Sequence, residues 1–355
     1  MESPGARRHR ARPSRARPLL YTALAALTIV GGTAAGTVYV KAQAHSGAAP
    51  VSSAGTPSAD GAVTADGDES MEPVAQPTVD RDALLAKAMT SVAVPADAEV
   101  SVAVLDVASG ARAGYGDGAF DTASIVKVDI LAALLLQAQD AGRQLTAAEK
   151  TYATAMIENS DNASATALWD VIGEADGLDA ANKRFGLTDT AGGDGALWGL
   201  TQTTAADQLT LLGQVFGDDS KLSAASRAYL QGLMGRIAAD QHWGVSAAAD
   251  GSAWALKNGW LARSGTGLWD INSVGRVTAG GRQYLVAVVS RGNTTQAEGV
   301  TLVESAAKAA VRTLTEETTA TTSTTSTTST TSTTSTTSTT AKASAKAPST
   351  SASSD

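Results

Sequence analysis

The sequence contains no cysteine and only three histidines, His9, His45 and His242, among its 355 residues. The absence of cysteine excludes disulfides, thiolate nucleophiles and cysteine-based zinc or iron–sulfur sites. Because His9 and His45 precede any segment able to form a core, a multi-histidine metal centre is excluded and a Ser-His-Asp triad would have to use His242. The sequence therefore predicts no metal and no cofactor. Serine together with lysine remains as the main nucleophile chemistry.

The first 40 residues divide into a basic segment and an apolar segment. Residues 1–18 carry six arginines, and residues 19–40 contain no charged side chain. An uncharged run of that length is long enough to cross a bilayer as a helix, with the basic flank in the cytoplasm. Ala42-Gln43-Ala44 also fits a signal-peptide cleavage site, so a retained anchor and a removed signal peptide are both open. Either alternative predicts an exported protein, with the membrane as a partner through residues 19–40 if the anchor is retained.

Beyond this segment the charge balance is acidic. Without the six arginines and Glu2, 21 basic and 34 acidic residues remain, a formal net charge of −13. An exported acidic body argues against nucleic-acid binding. We therefore expect no nucleic-acid partner, and we expect the protein to be a monomer.

Two further segments have compositions that cannot bury a core. Residues 41–78 are mostly Ala, Gly, Ser, Pro, Thr and Asp, which is typical of a flexible linker. Residues 315–355 contain six Thr-Thr-Ser triplets and are predicted to be a disordered Thr/Ser-rich tail, with a glycosylated or wall-threading stalk as the alternative. Residues 79–314 remain, which is enough for one substantial domain.

The hydrophobic pattern of residues 79–314 places strands at both ends and helices between them. An opening helix (80–92) and a hairpin (99–107 and 111–116) come first, and three strands (253–257, 272–278, 284–290) precede a closing helix (295–314). Six predicted helices lie between these two groups of strands, and the first of them is almost wholly apolar. They cover 125–139, 147–159, 163–173, 177–185, 204–216 and 223–234. This order predicts an α+β sandwich: a five-stranded antiparallel sheet flanked by terminal helices, with an inserted all-helical lobe and a cleft between sheet and lobe.

Ser124-Ile125-Val126-Lys127 opens the apolar helix. Three residues apart on a helix, Ser124 and Lys127 face the same side. The helix N-terminus offers N–H groups that can stabilise an oxyanion, and a desolvated lysine has a lowered pKa and can take the serine proton. The alternative is an N-capping serine with a snorkelling lysine. A second Ser-x-x-Lys, Ser305 to Lys308, lies inside the closing helix and is predicted to be helix surface.

Ser160-Asp161-Asn162 lies between two helices, so its side chains can project from a short connection. Ser160 is placed to relay a proton to a leaving nitrogen, and Asn162 to bind a substrate carbonyl. The alternative for this triplet is a helix cap formed by Asp161.

Lys257-Asn258-Gly259 comes at the end of a predicted apolar strand. We expect Lys257 to face the cleft as a fixed cation, and Gly259 to let a substrate lie against the strand edge. The alternative is an ordinary strand-to-turn transition.

Together and in this order, the three motifs are typical of class A β-lactamases and penicillin-binding proteins. The sequence resembles this superfamily of penicillin-recognising serine hydrolases, in particular its class A-like branch, over nearly all of residues 80–314. Residues 102–127, 145–162, 185–189 and the pair Thr203-Thr204 are further landmarks of the resemblance. The resemblance implies a β-lactamase/transpeptidase-like fold and, as substrate, a β-lactam or a peptidoglycan stem peptide ending in D-Ala.

The resemblance also implies a role for each candidate residue. Ser124 is the nucleophile, Lys127 activates it, and Ser160 passes a proton to the leaving nitrogen. The amide of the second motif holds the acyl side chain of the substrate, the third motif binds its carboxylate, and the N–H groups of Ser124 and of the residue after the third motif form an oxyanion hole. The implied substrate-binding residues are Asn162, Lys257, Asn258, Gly259 and Trp260.

The sequence departs from the family at three places. Hydrolytic class A enzymes carry a deacylating glutamate in the loop before the Thr-Thr helix, whereas residues 188–202 contain no Glu and only Asp189 and Asp194 as carboxylates. Asn258 stands where the family usually has Thr or Ser, and the segment between Lys127 and Ser160 lacks a usual excursion. Loss of the base leaves acylation possible and slows release.

The prediction is therefore a serine acyl-enzyme hydrolase whose deacylation base is missing. Two alternatives stay open at this point. One is a non-catalytic, wall-associated binding module with the same fold, and the other is a genuine β-lactamase that uses Asp189 or Asp194 as a substitute base.

Overall fold

The computed structural model describes residues 79–328, with side chains up to Glu316. The predicted basic segment 1–18, anchor or signal segment 19–40 and linker 41–78 lie outside the described residues, as do residues 329–355 of the predicted tail. In the range 79–328 no helix has both the length and the apolar character needed to cross a membrane.

The described chain alternates between a sheet and a helical lobe. In the described chain, three strands follow the first helix. Six helices with one short strand among them come next, and three strands precede the last helix. The elements are α1 (Arg81–Met89), β1 (Glu99–Asp106), β2 (Arg112–Tyr115), β3 (Phe120–Asp121), α2 (Val126–Asp140), α3 (Ala147–Glu158), α4 (Asn162–Ile172), α5 (Glu174–Phe185), β4 (Gln202–Thr203), α6 (Ala205–Phe216), α7 (Ala224–Met234), β5 (Trp254–Ala262), β6 (Trp269–Ala279), β7 (Arg282–Asn293) and α8 (Gln296–Thr328).

The main sheet has five antiparallel strands in the order β2-β1-β7-β6-β5. The N-terminal hairpin therefore joins the C-terminal strands through the β1–β7 pair, in which Val104 lies opposite Val286. This arrangement brings both ends of the domain into one sheet and leaves α2 to α7 as the inserted lobe. The predicted α+β fold and its five-stranded antiparallel sheet are confirmed.

Both faces of the sheet are buried. Successive residues of β7 therefore pack in two different hydrophobic cores. Leu285, Ala287 and Val289 pack in the core of the helical lobe, whereas Val286 and Val288 pack in the core that contains residues of α1 and α8. A strand covered on both faces has a continuous apolar sequence rather than an alternating one, which explains the run in β7.

Helix α2 runs through the lobe and is buried over most of its circumference, as its sequence predicts. A short pair of strands, β3 and β4, lies beside its N-terminus and joins the segment before Ser124 to the loop before α6. The N-terminus of α2 is thus fixed between the lobe and the sheet.

The last helix extends beyond its predicted end at Leu314 and reaches Thr328. Leu314 is buried, and the hydroxyl of Thr315 lies 3.1 Å from that of Tyr284 in β7. These contacts hold the helix past the predicted boundary, and each added residue of a formed helix gains a hydrogen bond even where threonine propensity is low. Residues 315–328 of the predicted tail thus lie within α8.

Candidate active site

Ser124 lies in a 3₁₀ turn, Ala123–Ile125, that leads directly into α2. Ala123 has a φ of +46°, a left-handed conformation that is uncommon for a residue with a side chain. Such strain persists only where the surroundings impose it, and it is often found at functional sites. Ile125 is fully buried while Ser124 stays partly exposed. The hydroxyl is thus presented to the cleft from a fixed turn.

Lys127 Nζ lies 3.0 Å from Ser124 Oγ, which is the pairing that the spacing predicts. The lysine side chain is fully buried and donates also to Ser160 O (2.7 Å), Ser160 Oγ (3.1 Å) and Asn162 Oδ1 (2.7 Å). The alternative of a snorkelling lysine is therefore wrong. The alternative of an N-capping serine is also wrong, because no side-chain cap is formed and the cap position of α2 is Ile125.

Burial lowers the pKa of Lys127 to about 7, while the charge of Asp161 acts in the opposite direction. Near neutral pH a large fraction of this amine is unprotonated and can accept a proton. The group closest to Ser124 Oγ thus has the acid–base character that a general base requires.

Ser160 connects the two lysines of the site. It lies between α3 and α4 with a φ of +55°, and its Oγ accepts hydrogen bonds from Lys127 (3.1 Å) and Lys257 (3.0 Å). Asp161 caps α4 by accepting from Ser164 N at 2.7 Å. The Asp161 cap predicted for this triplet is confirmed, and Ser160 and the exposed Asn162 contact Lys127. The proton relay by Ser160 and the binding of a substrate carbonyl by Asn162 stay predictions.

Lys257 faces the lobe from β5, as predicted. Its Nζ donates to Ser160 Oγ and to Asn258 O (2.9 Å), and its side chain is fully buried. Burial, followed by repulsion from Lys127, lowers the pKa of Lys257 well below its ordinary range. Ser124, Lys127, Ser160 and Lys257 therefore converge.

Asn258 does not join this cluster. The third motif lies inside β5 rather than at its end, and successive side chains of a strand point to opposite faces. Its buried amide donates to Gln241 O (2.8 Å) and Trp243 O (3.1 Å) and accepts from Ser273 Oγ (2.6 Å). The predicted contact between this side chain and a substrate carboxylate is therefore wrong.

Gly259 packs against the turn that carries Ser124. A Cβ at this position would lie 2.7 Å from Thr122 O and 2.8 Å from Ser124 N, closer than real Cβ atoms approach. Only glycine lets β5 approach this backbone. Trp260, the next residue, directs its indole to the other face, where it meets the ring of Trp243 edge-on with centroids 5.9 Å apart. Its predicted role in an oxyanion hole thus depends on its backbone N–H.

The loop 188–202 places an aromatic ring next to Lys127. The ring of Trp198 has its centroid 5.0 Å from Lys127 Nζ, and its Nε1 donates to Thr166 Oγ1 at 3.1 Å. No sequence signal indicated the Thr166 contact, since it joins a loop to a distant helix.

The two carboxylates of this loop do not take the position beside Lys127. Asp189 is exposed, with Oδ2 accepting from Thr188 Oγ1 at 3.1 Å. Asp194 is also exposed. In the described chain neither side chain hydrogen-bonds to Ser124 or Lys127. The geometry gives no support to a substitute base.

Residues 79–328 include no group of three or more His, Asp or Glu side chains arranged to hold a metal ion. His242, the one histidine of the described range, is exposed and packs edge-on against Trp254 with ring centroids 4.6 Å apart.

A family model described as the β-lactamase enzyme family matches residues 139–314. The match includes Ser160 and Lys257 and begins after Ser124 and Lys127. No curated protein sequence matches the chain.

Solved structures share the fold over about two thirds of this chain. PBP-A is 20% identical with a TM-score of 0.58, and 66% of this chain and 96% of that one are covered. A PBP-A mutant in an acyl-enzyme complex with penicillin G is 22% identical with a TM-score of 0.57, covering 66% and 97%. A β-lactamase from Xanthomonas campestris pv. campestris is 21% identical with a TM-score of 0.52, covering 64% and 95%.

At these identities the likeness to solved structures concerns the fold, while the family match concerns the sequence of the C-terminal part of the domain. The family match agrees with the family that the three motifs indicate, and the solved structures agree with its fold. The resemblance of this chain to the β-lactamase-like serine hydrolase superfamily is thus confirmed.

Proposed function

We propose that this protein is an exported serine acyl-enzyme hydrolase in which β-lactams or D-Ala-containing wall peptides acylate Ser124. The observation that carries the proposal is the 3.0 Å contact between Lys127 Nζ and Ser124 Oγ, made by a buried lysine whose pKa is about 7. A nucleophile within hydrogen-bond reach of a base that is held by further partners is the arrangement that nucleophilic catalysis needs.

In the acylation step, neutral Lys127 takes the proton of Ser124 Oγ as this oxygen bonds to the substrate carbonyl carbon. The N–H groups of Ser124 and Trp260 stabilise the oxyanion. The carbon–nitrogen bond then breaks, and the leaving nitrogen takes a proton from Ser160 Oγ. Ser160 is reprotonated by Lys127, so the step ends with acylated Ser124, a free amine and a neutral Lys127.

The energetic cost of the site supports catalysis over a binding module that has lost it. Two lysines are fully buried around one serine hydroxyl, and both Ala123 and Ser160 have left-handed backbone conformations. Buried lysines and strained backbone are each unfavourable and are typical of sites that use them. A binding module would have no need of a proton path from Ser124 through Lys127 to Ser160.

We propose further that release of the acyl group is slow. Hydrolysis of the ester requires a base that activates water, and the loop that supplies it in hydrolytic relatives brings Trp198 to Lys127 instead. A mutant of the similar protein PBP-A has been captured as an acyl-enzyme with penicillin G. An adduct of that type on Ser124 is the species we expect to accumulate.

The site of action is proposed to lie outside the membrane, where wall peptides and β-lactams are found. This follows from the basic residues 1–18 and the uncharged residues 19–40. Fractionation of cells and protease digestion of intact spheroplasts test it: we expect the domain to be degraded without lysis. A domain that resists digestion until lysis would contradict export.

The acylation proposal is tested by incubating the purified domain with a fluorescent penicillin. We expect covalent labelling that Ser124→Ala abolishes. Ser305→Ala is the matched control, because it alters the second Ser-x-x-Lys, which lies in α8, and it should label like the native protein. Lack of labelling of the native protein at high penicillin concentration would overturn the proposal.

A further inference from the structure

A buried amide of β6 holds the backbone that precedes Ser124. Asn272 Nδ2 donates to Asp121 O at 2.9 Å and to Thr122 O at 3.0 Å. Its Oδ1 accepts from Ser290 N of β7 at 2.9 Å. The side chain is fully buried, and one amide therefore ties two strands of the sheet to two successive carbonyls of the nucleophile segment.

These two carbonyls come immediately before the strained residue. The peptide unit between Asp121 and Thr122 is held at both ends, since its oxygen accepts from Asn272 and its N–H donates to Thr201 O at 2.9 Å. The carbonyl of Thr122 shares a peptide plane with the N–H of Ala123, whose φ is +46°. Fixing both planes determines the direction in which the chain enters the turn at Ser124.

The two hydrogen bonds donated by Asn272 fix backbone atoms next to those that take part in the proposed acylation. Gly259 packs against Thr122 O and Ser124 N, so a rotation of the Thr122 carbonyl would alter the position of β5 relative to the Ser124 N–H. A shift of about 1 Å in a reacting group is enough to lower a catalysed rate about 100-fold.

We propose that Asn272 is a positioning residue for Ser124: its amide imposes the backbone conformation that aims the Ser124 hydroxyl and N–H at the substrate carbonyl. The inference rests on the proposed function, because it concerns the rate of acylation. Asn272 does not touch the substrate.

The same sheet supplies a matched control. Asn293 in β7 is also fully buried, and its Nδ2 donates to Trp269 O (3.0 Å) and Ser290 Oγ (3.0 Å). Its NH2 group donates two hydrogen bonds, as the NH2 group of Asn272 does, but neither reaches the nucleophile segment. A purely structural role would make the two asparagines equivalent.

The test measures acylation by penicillin in the variants Asn272→Asp and Asn293→Asp, at a temperature well below the melting point of both. Asn272→Asp keeps the shape of the side chain but replaces its donating NH2 by an oxygen. We expect its limiting acylation rate to fall about 100-fold with little change in the dissociation constant of the initial complex. Asn293→Asp should be acylated at a rate within about two-fold of the native rate, even if its melting temperature falls as far as that of Asn272→Asp.

A second readout is the pH profile. In Asn272→Asp the plateau should fall while the midpoint, which Lys127 governs, stays in place. If Asn272→Asp does not fold, Asn272→Ser takes its place with the same expectations. An unchanged limiting rate, or equal losses in the Asn272 and Asn293 variants, would overturn this inference and leave the proposed function intact. A native protein that is not acylated at all would overturn both.

Discussion

Lys127 is subject to two opposing effects. Its ammonium group is surrounded by oxygen acceptors from Ser124, Ser160 and Asn162, which favour the charged form, while burial favours the neutral form. Burial dominates and brings the pKa to about 7. The neutral amine is the form that accepts the Ser124 proton, so the activity of the site should follow the titration of this one group.

The acylation rate is expected to rise with pH and level off above about 7. Below this pKa the base is protonated, and the rate should fall about ten-fold per pH unit, because only the neutral fraction reacts. The second-order rate constant with penicillin, measured from pH 5 to pH 9, checks this. Lys127→Arg stays charged over that range and should lose about 10²–10⁴-fold at every pH. A midpoint near 10, or an active Lys127→Arg variant, would contradict the role.

The identity of residue 198 is expected to control release of the acyl group. Trp198→Glu puts a carboxylate close to Lys127, where it can activate water, and should shorten the lifetime of the penicillin adduct at least about ten-fold. Trp198→Gln is the matched control, since it has nearly the same shape and no base. Adduct lifetime is read by intact-protein mass spectrometry. Equal lifetimes in the Glu and Gln variants would speak against this position as the place of a missing base.

For single residues, the sequence correctly predicted the contacts that depend on local spacing. Ser124 and Lys127 are one helical turn apart, so their contact follows from helix geometry. The face occupied by Asn258 depended on β5 continuing through the motif, and the place of Trp198 depended on how a loop folds back onto α4. Neither is recorded in the local pattern of residues.

Among the elements, the position of β5 against the 3₁₀ turn before α2 decides whether the site forms. The two segments meet at Gly259, whose absent side chain lets the strand contact the backbone around Ser124. Lys257, two residues earlier on the same face, then reaches Ser160. One close approach thus brings Lys257 and the backbone of β5 next to Ser124.

Gly259→Ala is expected to impair acylation strongly. The added Cβ would meet Thr122 O and Ser124 N at less than 3.0 Å, and both are backbone atoms, so the strand or the turn must move. We expect a loss of at least about 100-fold in the acylation rate constant. Gly265→Ala, where a Cβ would have no neighbour within 4 Å, is the control and should behave like the native protein. Equal rates for the two variants would refute the importance of this contact.

The length of α8 has a measurable consequence for stability. A chain ending at Leu314, the domain end predicted from sequence, lacks the hydrogen bond between Thr315 and Tyr284. It should unfold with a free energy about 1 kcal/mol lower than that of a chain ending at Thr328. Urea denaturation of the two truncations measures the difference. Identical midpoints would show that residues 315–328 add nothing to the free energy of unfolding.

Within the described chain, the candidate catalytic residues lie at one edge of the sheet and helix α1 lies at the other. Strand β5, with Lys257, is one outer strand, and β2 is the opposite one. Helix α1 meets that opposite edge, where Asp82 Oδ1 accepts from Gly114 N at 2.7 Å. The described chain therefore begins at the edge of the sheet opposite to β5.

The architecture was predictable from the order of elements, because strands at both ends of the chain must pair to form one sheet around an inserted helical lobe. The end of α8 was not, since its threonines favour neither helix nor core and the local pattern does not show the contact between Thr315 and Tyr284.

The most direct test of the proposed chemistry is intact-protein mass spectrometry of the domain with penicillin over time, for the native protein and for Ser124→Ala. We expect one adduct with the full mass of the penicillin, formed only when Ser124 is present and persisting for many minutes. Absence of this adduct, or rapid turnover of nitrocefin without an accumulated adduct, would contradict a lysine-activated serine enzyme with slow release.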